Sequence, residues 1–122
     1  MAKILNLTQH EATPEQRKAG VREVVSKARV RQLLTFEELP SKKELQYRAK
    51  ELAWIAEAYS TECDKVLIGG APYFMPFLER AIKRIGMQPV YAFSKRECIE
   101  QKMPDGSVKK IQIFKHVGFV EV

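Results

Sequence analysis

The sequence predicts an α/β protein: a small Rossmann-like three-layer domain with a mostly parallel sheet and a C-terminal β-hairpin. Three observations predict it. Short apolar runs at Ile4–Leu7, Lys65–Ile68 and Pro89–Phe93 have the length and residue types of buried strands. Two helical stripes lie between them, Leu45, Ala49, Leu52, Ala53, Ala56 and Tyr59 in one and Phe74, Phe77, Leu78, Ala81, Ile82 and Ile85 in the other. Near the C-terminus the pair Asp105-Gly106 separates two more strand-like runs and favours a tight hairpin. With 122 residues and 45% hydrophobic composition, residues 1–122 are expected to form one domain around a single core, large enough to fold without metals or disulfides.

The elements follow in order. After the first strand, Thr13 is an N-cap, Pro14 a first-turn proline and Gln16 the capping-box partner, so a helix starts there. Val21 to Val25 read as a short extended segment, or only a connection, and Ser26 to Leu34 as helical. Leu39-Pro40-Ser41 ends that segment, and Ser41 with Glu44 forms a second capping box at the head of the longer helix. Gly69 and Gly70 break the next strand, and Gly86 closes the helix that follows. Glu97 to Met103 and Val108 to Phe114 form the hairpin strands, joined through Pro104-Asp105-Gly106-Ser107. Val117 to Val120 is a last apolar segment, at the sheet edge or in a subunit contact.

A formal charge of +6, from 21 Lys and Arg against 15 Asp and Glu, favours an anionic partner: nucleic acid, a free nucleotide or a small RNA-like messenger. Cys63 and Cys98 make no pairing pattern, and with two His they lack the ligand spacing of a zinc site. No secretory signal and no stretch of about 20 apolar residues is apparent, so a cytoplasmic location without a membrane partner is expected. The glycine loop lacks both the G-x-G-x-x-G fingerprint and the Gly-Lys-Ser/Thr end of a P-loop. Nicotinamide reduction and P-loop triphosphate hydrolysis are therefore disfavoured, and no cofactor or metal is expected.

The candidate site is where three strand ends converge. Thr8, Gln9 and His10 follow the first strand; Gly69 and Gly70, with Tyr73 as a stacking surface, follow the second; Ser94, Lys95 and Arg96 follow the third. The two cations are placed to clamp phosphate. Each loop also has a plain structural reading: a polar turn, a glycine bend with Tyr73 packed at the domain edge, and solvated surface charge. His116, beside Lys115, reads more readily as structural than as chemical.

The segments Asn6-Leu7-Thr8-Gln9-His10 with Thr13 and Gln16, Ile68-Gly69-Gly70-Ala71-Pro72 leading into Leu78-Glu79-Arg80-Ala81, and Val90 to Arg96 carry a resemblance. The chain resembles small stand-alone CRISPR-associated Rossmann-fold (CARF) proteins, including ring-nuclease-like members. The resemblance implies a homodimer that binds cyclic oligoadenylate and, in some members, cleaves it without a metal. On that reading Thr8, Gln9, Gly69, Gly70, Tyr73 and Ser94 bind ligand, and His10, Lys95 and Arg96 form the catalytic candidates. The substrate's own 2′-hydroxyl would attack the adjacent phosphate, with His10 transferring a proton and Lys95 or Arg96 stabilising the charged oxygens. Two readings without catalysis stay open: a nucleotide- or RNA-binding module, and a homo-oligomeric interaction protein with an apolar C-terminal contact.

Overall fold

A computed structural model describes residues 3–122. The elements are β1 (Ile4–Asn6), α1 (Pro14–Lys18), β2 (Val21–Glu23), α2 (Lys27–Leu34), α3 (Lys42–Glu57), β3 (Lys65–Leu67), α4 (Met75–Arg84), β4 (Gln88–Lys102) and β5 (Val108–Glu121). They form one five-stranded sheet in the order β2-β1-β3-β4-β5. The first four strands are parallel and β5 returns antiparallel to β4. The fold is the small α/β, Rossmann-like domain with a C-terminal hairpin that the strand–helix alternation predicts.

Side-chain alternation along the short strands assigns the two faces of the sheet. Leu5, Leu7, Val66 and Ile68 point into the main core, which α2, α3 and α4 close with Leu33, Leu52, Leu78, Ile82 and their neighbours. Ile4, Val21, Leu67 and Val90 point the other way, where Ala12 and Phe119 cover them. This second layer is thin, because α1 has five residues and none of them is buried. The strand ends on that face are therefore left open.

Local signals account for most boundaries. Thr13 and Gln16 form the reciprocal capping box at α1. At α3, Ser41 accepts from the Glu44 N–H at 3.1 Å, but the Glu44 carboxylate turns to Arg48 at 2.7 Å and does not close a second box. Val21 to Val25 contributes a true strand, β2, which stops at Glu23, and Val25 is 93% exposed.

The C-terminal third departs from expectation. Pro89–Phe93 and Glu97–Lys102 belong to one continuous strand, β4, which stops before Met103, and Val108–Phe114 and Val117–Val120 likewise belong to one strand, β5. Ser94, Lys95 and Arg96 therefore lie within a strand and not at its end. Polar residues interrupt an apolar run in sequence, but a backbone ladder continues wherever its partner strand continues. A bulge at Phe93/Ser94 absorbs the change of register.

Candidate functional site at the β1 and β3 strand ends

In the strand order β2-β1-β3-β4-β5, the chain leaves β1 toward one edge to make β2 and later continues toward the other edge from β3. The crevice at the carboxyl ends of β1 and β3 is thus the topological switch point, the place where open α/β sheets bind ligands. A cleft of 520 Å³ lies there, lined by Thr8, Gln9, His10, Gly69, Gly70 and Tyr91 together with Glu11, Thr13, Gln16 and Ala92. Its size falls within the usual range for small-molecule sites. Other hollows are as large or larger, one of 560 Å³ between α3 and α4 and one of 830 Å³ at the α2–α3 corner, but neither sits at the strand ends.

A buried amide builds the β1 loop. Register places Asn6 directly beside Glu23 on the neighbouring strand. The Asn6 side chain donates to the Glu23 carboxylate at 3.1 Å and to the His10 carbonyl at 2.8 Å. Its oxygen accepts from the Thr8 N–H at 3.1 Å and faces the Thr8 hydroxyl at 2.6 Å. Glu23 in turn accepts from the Ala12 N–H at 2.6 Å. Two cations hold the loop from behind: Lys27 donates to the His10 carbonyl at 2.9 Å and pairs with Glu23 at 3.2 Å, and Arg31 donates to the Gln9 carbonyl at 3.0 Å. The backbone of Thr8 to His10 is thereby fixed, while the His10 ring stays at the exposed cleft wall.

Electrostatics follow from that network. Burial works against the Glu23 carboxylate, but the donors from Ala12, Asn6 and Lys27 outweigh it and hold its pKa below the usual carboxylate value. Tyr91 behaves oppositely: burial, and then the adjacent Glu79 carboxylate that its hydroxyl contacts at 2.6 Å, push its phenol well above the ordinary value. Tyr91 therefore stays protonated as a neutral donor to Glu79. At α1 the capping box occupies the N–H groups of Thr13 and Gln16, so those donors are committed within the protein.

The structure brings together Thr8, Gln9, His10, Gly69 and Gly70. The Thr8 methyl lies 3.7 Å from where a Gly69 side chain would begin, so the two loops approach closely. Tyr73 stands elsewhere: it is 51% exposed and packs edge-on to Phe36, with ring centroids 5.5 Å apart. Tyr91 forms the aromatic wall in its place. Ser94, Lys95 and Arg96 do not line the cleft; they stand above it on β4. Strand alternation puts Ser94 and Arg96 on the face shared with Ala92 and Lys95 on the opposite one.

His116 pairs with Ser94 across the hairpin and lies tilted against Phe119, ring centroids 4.9 Å apart, with Nδ1 buried and unpartnered. Among the described residues no group of His, Cys, Asp and Glu gathers as a metal site requires. Cys63 is buried and Cys98 exposed, and neither is in a disulfide. No helix of the described chain is long and apolar enough to cross a membrane.

Sequence alone does not single out Asn6, Glu23, Lys27, Arg31 or Tyr91 as site residues. Asn6 carried the clearest signal, since a polar side chain closing an apolar strand needs buried partners. Among curated proteins and among solved structures, nothing matches the chain. Residues 2–120, which contain the cleft loops and the hairpin up to Val120, match the family described as the uncharacterized protein MJ1673 family, and the chain belongs to that family.

Proposed function

We propose that this protein binds an anionic nucleotide in the switch-point cleft, with cyclic oligoadenylate as the ligand class, and cleaves its phosphodiester without a metal. The position of the cleft carries the reading: a braced loop and a glycine-rich one meet at the carboxyl ends of β1 and β3. Thr8 and Gln9 orient ribose or phosphate, the Gly69-Gly70 backbone permits close approach, and Tyr91 walls the base. Ser94 and Arg96, on the cleft's face of β4, meet the phosphates that extend beyond the pocket. Lys95 acts through charge at longer range. The reading includes a homodimer, which mass photometry checks.

In the cleavage step the substrate's 2′-oxygen bonds to phosphorus and the bond to the 5′-oxygen breaks. A proton leaves the 2′-hydroxyl and one reaches the departing 5′-oxygen, giving a 2′,3′-cyclic phosphate and a free 5′-hydroxyl. His10 is the side chain suited to that transfer, and the bonds from Asn6 and Lys27 to its carbonyl hold its backbone at the cleft.

The test incubates purified protein with AMP and a panel of cyclic oligoadenylates in EDTA, resolving bound ligand and products by liquid chromatography and mass spectrometry. Linear adenylates ending in cyclic phosphate support the full reading. Intact bound rings support a sensor that does not turn over. Failure to bind any of them overturns it. Arg96→Ala is expected to weaken ring binding about tenfold, near 1.4 kcal/mol, and Lys95→Ala much less. Equal losses would remove the argument from strand alternation.

A further inference from the structure

Beyond the bulge, β4 and β5 leave the body of the protein as a two-stranded arm. The strands pair only with each other from Ser94↔His116 to Lys102↔Val108, nine rungs that span roughly 27 Å at about 3.4 Å per residue. Along them every β4 residue except Glu97, and every β5 residue from Val108 to Lys115 except Ile111, is exposed. Both faces of the ribbon stand in water.

Its charge is positive on balance and lies on both faces. Residues 94–116 hold six Lys and Arg against three carboxylates, a net +3, which is half of the chain's +6. Among the described residues none of the six makes an ion pair. Lys95 sits directly across the ladder from Lys115, an arrangement that destabilises a hairpin unless an anion lies against it. By alternation Lys95, Lys109 and Lys115 share one face with Ile99, Ile111 and Ile113, while Arg96, Lys102 and Lys110 share the other with Phe114. A ribbon built to lie on one flat partner would gather its cations on one face. Cations on both faces, around exposed apolar side chains, suit insertion between two rows of phosphate.

We infer that the arm is a binding element for B-form duplex DNA, entering the major groove. That groove, about 12 Å wide and about 8.5 Å deep, admits a two-stranded β-ribbon. Lys and Arg on the two faces meet the phosphates of the two strands, and Ile99, Ile113 and Phe114 meet base edges and thymine methyls. The deep, narrow major groove of duplex RNA excludes the same ribbon. Lys95 and Arg96 at the base of the arm border the nucleotide site, whereas the distal Lys102, Lys109 and Lys110 lie beyond it and take no part in the proposed cleavage.

The experiment is fluorescence anisotropy of the whole protein with a labelled duplex DNA of mixed sequence, and with the matching duplex RNA, between about 50 and about 200 mM salt. DNA binding is expected to be at least about tenfold tighter than RNA binding. The slope of log K against log salt is expected to shrink by about one for each of Lys102→Ala, Lys109→Ala and Lys110→Ala. These positions are exposed, and unchanged circular dichroism verifies folding of each variant. Absence of DNA binding, DNA binding indifferent to the three variants, or preference for duplex RNA overturns the inference. So does a dimer that Ile113→Lys converts to monomer in a protein that ignores DNA, since the arm then covers a second copy. Cyclic oligoadenylate binding by the same variants separates the two sites: its retention alongside weakened DNA binding is the expected pattern, and its loss overturns their independence.

Discussion

Asn6 is 1% exposed and is the buried polar side chain of the described core. Its amide satisfies both the Glu23 carboxylate and the His10 carbonyl, so truncating it strands several groups at once. Asn6→Ala is expected to cost about 2–4 kcal/mol, read as a lower urea midpoint, because orphaned buried partners cost more than an average hydrogen bond contributes. Glu23 gives the same network a pH dependence. Its folded pKa lies below its unfolded value. The stability it adds is therefore fully present above the unfolded carboxylate pKa and is lost as pH falls through the folded one. Glu23→Gln is expected to flatten the acid limb of a thermal stability profile while leaving the neutral-to-basic limb parallel to wild type.

Elements are fixed as much by their ends as by their stripes. The C-terminal carbonyls of α2 are gathered by one residue of α3: Arg48 donates to Thr35 at 2.6 Å and to Leu33 at 3.3 Å, and its guanidinium lies 4.4 Å from the centre of the Phe36 ring. Arg48→Ala is expected to destabilise by about 1–3 kcal/mol, with Arg48→Lys recovering only part, since an ammonium lacks the planar fork. At the turn into α4, Gly70 has φ +154°, and a side chain there would begin 3.3 Å from the Met75 methyl. Gly70→Ala is expected to cost about 1 kcal/mol or more and to disturb the cleft floor, seen as weakened ligand binding by calorimetry.

At the scale of the molecule, stability is divided unevenly. The body buries β1 and β3 between its layers, whereas the arm has only its own ladder. Isolated hairpins are marginal in water. Native-state hydrogen exchange is therefore expected to protect Leu5, Val66 and Ile68 near the global stability and to leave the amides of 97–113 exchanging orders of magnitude faster. If arm amides proved as protected as those of β3, a second layer would have to cover the ribbon.

The fold class and much of its grammar are written in local sequence signals. Apolar period, the Thr13 capping box, the Gly69-Gly70 break and the Asp105-Gly106 turn are local signals, and each is found where it was read. The positions of Thr8, Gln9, His10, Gly69 and Gly70 around one cleft were also legible, because parallel strands deliver their following loops to one edge. The rest depends on contacts between residues far apart in the chain. Asn6 and Glu23 are 17 residues apart in sequence, and only the β1–β2 register sets them side by side. Tyr91 replaced Tyr73 at the cleft because neither spacing nor composition says which way an aromatic ring will pack. Ser94 to Arg96 read as a strand end because polarity marks loops in a buried sheet, and that rule lapses where a ribbon runs out into solvent and both of its faces are wet.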